Sequence, residues 1–174
     1  LKKIEKILLR RGYKKEEPCI PMPYSGSFAR YEKNIENNFK VSIDILIKAV
    51  TDRMTKAVFS ADWIFENSKK RSLKGKTITK EIQVNIIDID ALLVMKIVAS
   101  RPTDIRDVFM MLPNAKNKGW IKSEISSRYD FKNRLVKIAD KASSKQFKDG
   151  LSGVYGNFDI KTFEKYKKMI LRFQ

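Results

Sequence analysis

Hydrophobic and polar positions alternate or recur along this chain with periods that predict most of its elements. Leu1, Ile4, Ile7 and Leu8 fall at helical spacing, with Lys2, Lys3, Lys6, Arg10 and Arg11 on the other face. The pattern predicts a basic amphipathic helix that Gly12 stops. Residues 16–26 hold Pro18, Pro21 and Pro23 and read as an irregular or extended connection. Over Phe39 to Ala49 the period changes to two: Phe39, Val41, Ile43, Ile45 and Ile47 alternate with Lys40, Ser42, Asp44, Leu46 and Lys48. That is a strand with one apolar face and Asp44 on the other. Ser60 or Asp62 suits the cap of a short helix through Trp63, Ile64 and Phe65. A basic turn, Lys69 to Lys76, leads into a second strand over Ile78 to Ile87.

The segment from Asp88 to Ser100 is apolar on every side apart from Lys96 and its opening acids, which predicts a helix buried nearly all round. Pro102 suits the first position of the next helix and Asp104 its third, where an acid complements the dipole. That helix is expected to end at Pro113. Three further helices are expected over 121–128, 131–142 and 160–173, and Gly150 to Gly156 reads as turn. Mixed α and β elements thus precede an all-helical tail. The fold class expected is α+β, with domains over 1–112 and 113–174.

The composition narrows the chemistry. The 174 residues contain no histidine, which removes histidine general bases, Ser-His-Asp and Cys-His nucleophiles and His-ligated zinc. One cysteine, Cys19, allows no internal disulfide and fits a reducing, cytoplasmic setting. No apolar run is long enough to cross a membrane, and the N-terminus carries no signal-peptide pattern. The net charge is +17. Residues 1–113 hold 22 basic and 14 acidic groups, and residues 114–174 hold 15 and 6, so the excess is denser in the last third. Such an excess favours polyanionic partners or serves solubility alone.

Several motifs compete for a role. Gly75-Lys76-Thr77 is no phosphate-binding loop, because Lys70 stands where the first glycine belongs and a strand follows instead of a helix. Asp88 and Asp90 suit magnesium chelation, but the strongly signalled helix behind them makes a cap and first-turn acid the preferred reading. Asp44 stands in mid-strand, where aspartate is disfavoured without a reason. Either it faces solvent or it is a carboxylate aimed at a cleft, the arrangement that metal-assisted phosphoryl chemistry needs. Lys96 must pair its ammonium or carry it to an edge. An ion cluster with Asp104, Asp107 and Arg101 and a substrate site are both open.

In order, these segments resemble the nucleotidyltransferase superfamily, in particular its small prokaryotic abortive-infection and toxin–antitoxin types. The likeness rests on Val41-Ser42-Ile43-Asp44-Ile45-Leu46, similar to the strand bearing the family's third metal-site carboxylate, and on the helix Trp63 to Ser68. It rests most on Ala91 to Arg101 continuing through Asp104 and Asp107, similar to the family's signature helix pair. The family's first motif, a Gly-Ser turn and an Asp-x-Asp strand, normally precedes a helix like Leu1–Arg11 and is expected ahead of Leu1. Gly26-Ser27 before Asp44 is a coincidental likeness, since Asp44 matches the third carboxylate.

The resemblance implies magnesium-dependent transfer of a nucleoside monophosphate from a nucleoside triphosphate to an RNA (such as tRNA) or protein hydroxyl. It makes Asp44 the catalytic base or metal ligand. Lys96, Arg101 and Asp107 become the substrate-binding set, in which Lys96 and Arg101 neutralise phosphate or lock the helix pair. Lys69, Lys70, Arg71, Lys74 and Lys76, with the basic tail, would hold nucleic acid. The alternative is an inactive module of the same fold that binds nucleic acid through its basic helices. A purely structural, partner-binding protein is the third reading.

Overall fold

The computed structural model describes residues 2–17, 28–36, 39–75, 79–156 and 158–173. Pro18, Cys19, Pro21, Pro23, Gly26, Ser27 and Lys76 lie outside them. Its described elements are mixed α and β, in two compact units. The first unit holds residues 1–50 and 60–62, and the second holds 51–59 and 63–174.

In the first unit, α1 (Lys2–Arg10) is followed by β1 (Lys14–Glu16), β2 (Phe28–Ile35) and β3 (Phe39–Leu46). These strands form an antiparallel sheet in the order β1-β2-β3. Gly12 takes φ +82°, a left-handed conformation that lets the chain leave the helix. The helix buries Leu8 against Ala29 and Tyr31, with Tyr13, Ile43 and Ile45 packed alongside. The buried Tyr31 hydroxyl donates to Glu5 of the helix at 3.0 Å, so the phenol is not left unpaired. Ile4 and Ile7, expected on the buried face, are about half exposed. Strand β3 ends at Leu46, where the alternation predicted a run to Ala49, and Lys48 (φ +68°) lies between it and the next strand. Strands β1 and β2, on either side of the proline-rich stretch, were not legible.

The short strands β4 (Ala49–Thr51) and β5 (Val58–Ser60) and helix α2 (Ala61–Glu66) straddle the division between the units. In the second unit, β6 (Ser68–Lys74) and β7 (Glu81–Ile87) form an antiparallel ribbon. The segment expected to be a basic turn is therefore a strand, stabilised by a paired register from Ser68 opposite Ile87 to Lys74 opposite Glu81. Helix α3 (Ile89–Ala99) presents no exposed residue, as its composition requires. It packs against α4 (Pro102–Met111), α5 (Lys118–Ser126) and α6 (Phe131–Ala142). Pro102 opens α4, and a 3₁₀ turn over Leu112–Asn114 ends it.

The boundary expected after residue 112 thus falls inside the second unit. The tail forms α5, α6, α7 (Lys145–Tyr155) and α8 (Ile160–Phe173). Its helices pack on α3 and α4, and Phe109 of α4 meets Phe147, Phe163 and Tyr166 with ring centroids 5.2–5.9 Å apart. The turn expected over Gly150 to Gly156 is in fact most of α7. Ser144 caps that helix by accepting from the Phe147 amide, and Phe147 and Leu151 bury its apolar face, so packing outweighs the cost of two internal glycines.

Candidate functional site

The candidate residues fall into three clusters. The first is built on the sheet of the first unit. The register places Glu16, Arg30 and Asp44 in one row across β1, β2 and β3, on the polar face. Arg30 donates from Nε to Oδ1 of Asp44 at 2.7 Å and from Nη2 to Oδ2 at 2.8 Å, a bidentate pair. Glu16 lies 3.9 Å from the same guanidinium. The hydrogen bonds from Arg30 hold the Asp44 carboxyl below its ordinary range, and those to Asp44 raise the guanidinium further. Asp44 is therefore ionised and engaged at both oxygens. No group of three His, Cys, Asp or Glu able to hold a metal occurs among the described residues. These residues therefore do not fit a magnesium site by themselves, because the one carboxylate assigned to it is already neutralised by Arg30.

The second cluster lies in the second unit and joins three candidates in a single network. The turn after β4 buries Asp52 to 5% exposure. Its Oδ2 accepts from the amides of Met54 and Thr55 and from the Thr55 hydroxyl at 2.8–3.1 Å. Its Oδ1 accepts from Nη2 of Arg101 at 3.1 Å. Burial pushes the Asp52 carboxyl up, but the bonds from Thr55 and Arg101 outweigh it and leave the group lowered. Arg101 precedes α4, and its backbone amide donates to Oδ2 of Asp104 at 3.2 Å. Oδ1 of Asp104 takes the Lys96 ammonium at 2.8 Å, and Asp107 takes it at 2.7 Å. Burial lowers the Lys96 pKa, and the two carboxylates more than reverse this, so the net shift is upward. The Tyr155 hydroxyl closes the chain by donating to Asp107 at 3.3 Å, and burial, then Asp107, raises that phenol.

Lys96 and Asp107 are thus tied into the α3–α4 pair. Arg101 is anchored at Asp52 yet its side chain remains 56% exposed. Of the three, it is the most exposed.

The third cluster is the ribbon. Asp88 stands at the cap position of α3, but its side chain makes no cap bond. It pairs with Lys69 at 3.0 Å and approaches Arg71 at 3.9 Å, and Lys69 lowers its pKa. The cap expected of Asp88 is replaced by this ion pair, because β6 brings two cations to the carboxylate. Asp90 instead accepts the amides of Lys116 and Asn117, at 2.9 and 2.8 Å, and fixes the entry to α5. Lys70 and Lys74 occupy the other face of β6.

Arg30 and Asp52 are the partners that sequence reasoning missed. Arg30 lies in an unrecognised strand. Asp52 begins Asp52-Arg53-Met54-Thr55, a side-chain-capped turn pattern that carries its own signal. A further cluster, Glu124, also escaped notice: it accepts from Trp63 Nε1 at 2.9 Å and from Arg128 at 2.7 Å, with Arg128 over the Trp63 ring. Searches against family models, curated proteins and solved structures yield no match for this chain. Among the described residues no helix is long and apolar enough to cross a membrane.

Proposed function

We infer that this chain belongs to a nucleotidyltransferase-type protein that moves a nucleoside monophosphate from a nucleoside triphosphate to an RNA or protein hydroxyl. The observation that supports this reading is the coherence of the signature residues. Lys96, Arg101, Asp104 and Asp107, which carry the resemblance, form one connected ion network, and Arg101 keeps an exposed face beside it. In the proposed reaction the acceptor oxygen attacks the α-phosphorus, the bond to the β-phosphate bridging oxygen breaks, and pyrophosphate leaves. Asp44 takes the acceptor's proton once Arg30 has moved off it. No step is assigned to magnesium, since the described residues do not complete a site for it. The test is release of pyrophosphate from each of the four nucleoside triphosphates with an RNA acceptor, lost in Asp44→Asn.

The Arg30–Asp44 pair favours a second reading, a nucleic-acid-binding module of the same class without chemistry. A guanidinium holding both carboxylate oxygens satisfies Asp44 as a structural residue. Under that reading no pyrophosphate appears, while binding of nucleic acid persists and weakens steeply with salt.

A further inference from the structure

The two faces of the β6–β7 ribbon differ in a way the basic cluster does not reveal in the sequence. On one face Lys69, Arg71 and Leu73 lie opposite Ile86, Val84 and Ile82. Its two cations are drawn to Asp88, and Val84 and Ile86 are partly buried. On the other, Lys70, Ser72 and Lys74 lie opposite Asn85, Gln83 and Glu81, and all six are exposed. Ser72 donates to Glu81, which occupies that carboxylate. The side chains of Lys70, Lys74, Gln83 and Asn85 have no hydrogen-bond, ion-pair or ring partner among the described residues. The ribbon therefore engages Lys69 and Arg71 of one face with Asp88, although Leu73 and Ile82 of that face are exposed, and leaves two ammonium groups and two carboxamides free on the other.

We propose that this polar face is a reading surface for duplex DNA, placed in the major groove. An antiparallel ribbon has strands about 4.8 Å apart, and seven residues span about 23 Å. The major groove of B-form DNA is about 12 Å wide and admits a two-stranded ribbon, whereas the A-form major groove is too narrow for side chains to read. Lysines suit phosphates, and carboxamides suit the N6/N7 edge of adenine. Neither strand carries an aromatic residue, so the stacking by which single strands are held is missing from this surface. The net charge of +17 supplies the long-range attraction. The inference rests on the nucleic-acid-binding reading above and is independent of any chemistry at Asp44.

The test is fluorescence anisotropy of the full chain with a labelled 20-base-pair DNA duplex, a duplex RNA and a single-stranded RNA, over a salt series. Unlabelled poly(dA-dT) and poly(dG-dC) serve as competitors. The surface predicts tightest binding to duplex DNA. Lys70→Ala/Lys74→Ala weakens it by roughly tenfold to a hundredfold and lowers the salt slope by about 1.8. Gln83→Ala/Asn85→Ala removes a preference for the A·T competitor while keeping the salt slope. Lys165→Ala/Lys168→Ala on α8 controls for loss of charge alone. A duplex-DNA affinity unchanged in Lys70→Ala/Lys74→Ala, or lowered equally by the α8 pair, overturns the ribbon assignment and leaves the broader reading standing. Ribbon-dependent binding that prefers RNA overturns the groove assignment. No binding to any of the three nucleic acids overturns both.

Discussion

Arg101 at the start of α4 reaches Asp52, 49 positions earlier in the chain, and holds its buried carboxylate at 3.1 Å. Thr55 and Met54 complete the shell of that carboxylate, so one side chain ties the turn over residues 52–57 to the α3–α4 pair. Replacing Asp52 with Ala strands two amides and leaves Arg101 without its anchor. The expected loss is about 2–3 kcal/mol, read as a lower urea midpoint at unchanged slope. Arg101→Ala costs less, about 1 kcal/mol, because its guanidinium is largely exposed and Thr55 still serves Asp52. A smaller loss for Asp52→Ala than for Arg101→Ala would contradict this ordering.

The pH dependence follows from the same carboxylates. Asp52, Asp44 and Asp88 all titrate below their ordinary value in the folded chain. A depressed folded pKa contributes stability that is full above the unfolded value, near 3.8, and is lost as pH falls through the folded one. Denaturation midpoints measured from pH 6 to pH 2 should therefore fall on the acid side. Asp52→Asn should show a lower plateau and a shallower fall. Lys96 has the opposite sign: its raised pKa contributes stability below about 10.5 that is lost in strong alkali.

Lys96 sits between Asp104 and Asp107 with its side chain 27% exposed. Lys96→Met leaves two carboxylates close together without their cation, at an expected cost of roughly 2–4 kcal/mol, reduced from the fully buried case by partial exposure. Lys96→Met/Asp104→Asn/Asp107→Asn should recover much of that loss. A thermal melt of the single and triple variants measures it, and equal loss in both would rule out charge pairing as the cause.

The glycines of α7 make a contrasting pair of predictions. A methyl group at Gly150 or Gly153 meets nothing within 4 Å. Alanine at each should stabilise the chain by about 0.5–1 kcal/mol. Alanine at Gly12, with φ +82°, should destabilise it by about 1 kcal/mol. The melting temperatures of the three variants decide the matter.

These glycines also show where the sequence was hard to read. Local propensity made Gly150 to Gly156 a turn, while the helix depends on a cap at Ser144 and on burial of Phe147 and Leu151, which are tertiary facts. The buried helix α3 was legible because its apolar composition admits one environment. Strand β3 was legible because its alternation separates Asp44 from the half-buried face. Strand β2 was not, because Ala29, Tyr31 and Lys33 share a face, and only the first two are buried. At the candidate site, the ion pairs of Lys96 were foreseen as one of two readings, since charge spacing along consecutive helices constrains them. Arg30 opposite Asp44 and Asp52 beneath Arg101 depend on strand register and a long-range approach, which one sequence does not encode locally.

The most direct test of the central claim is transfer of label itself. The chain is incubated with each α-³²P nucleoside triphosphate, magnesium and total RNA, and the RNA and protein fractions are separated and counted. The account predicts label in one fraction, one pyrophosphate released per label transferred, and neither product with Asp44→Asn. Label at the same level in Asp44→Asn, or in no fraction with any of the four nucleotides, would contradict it.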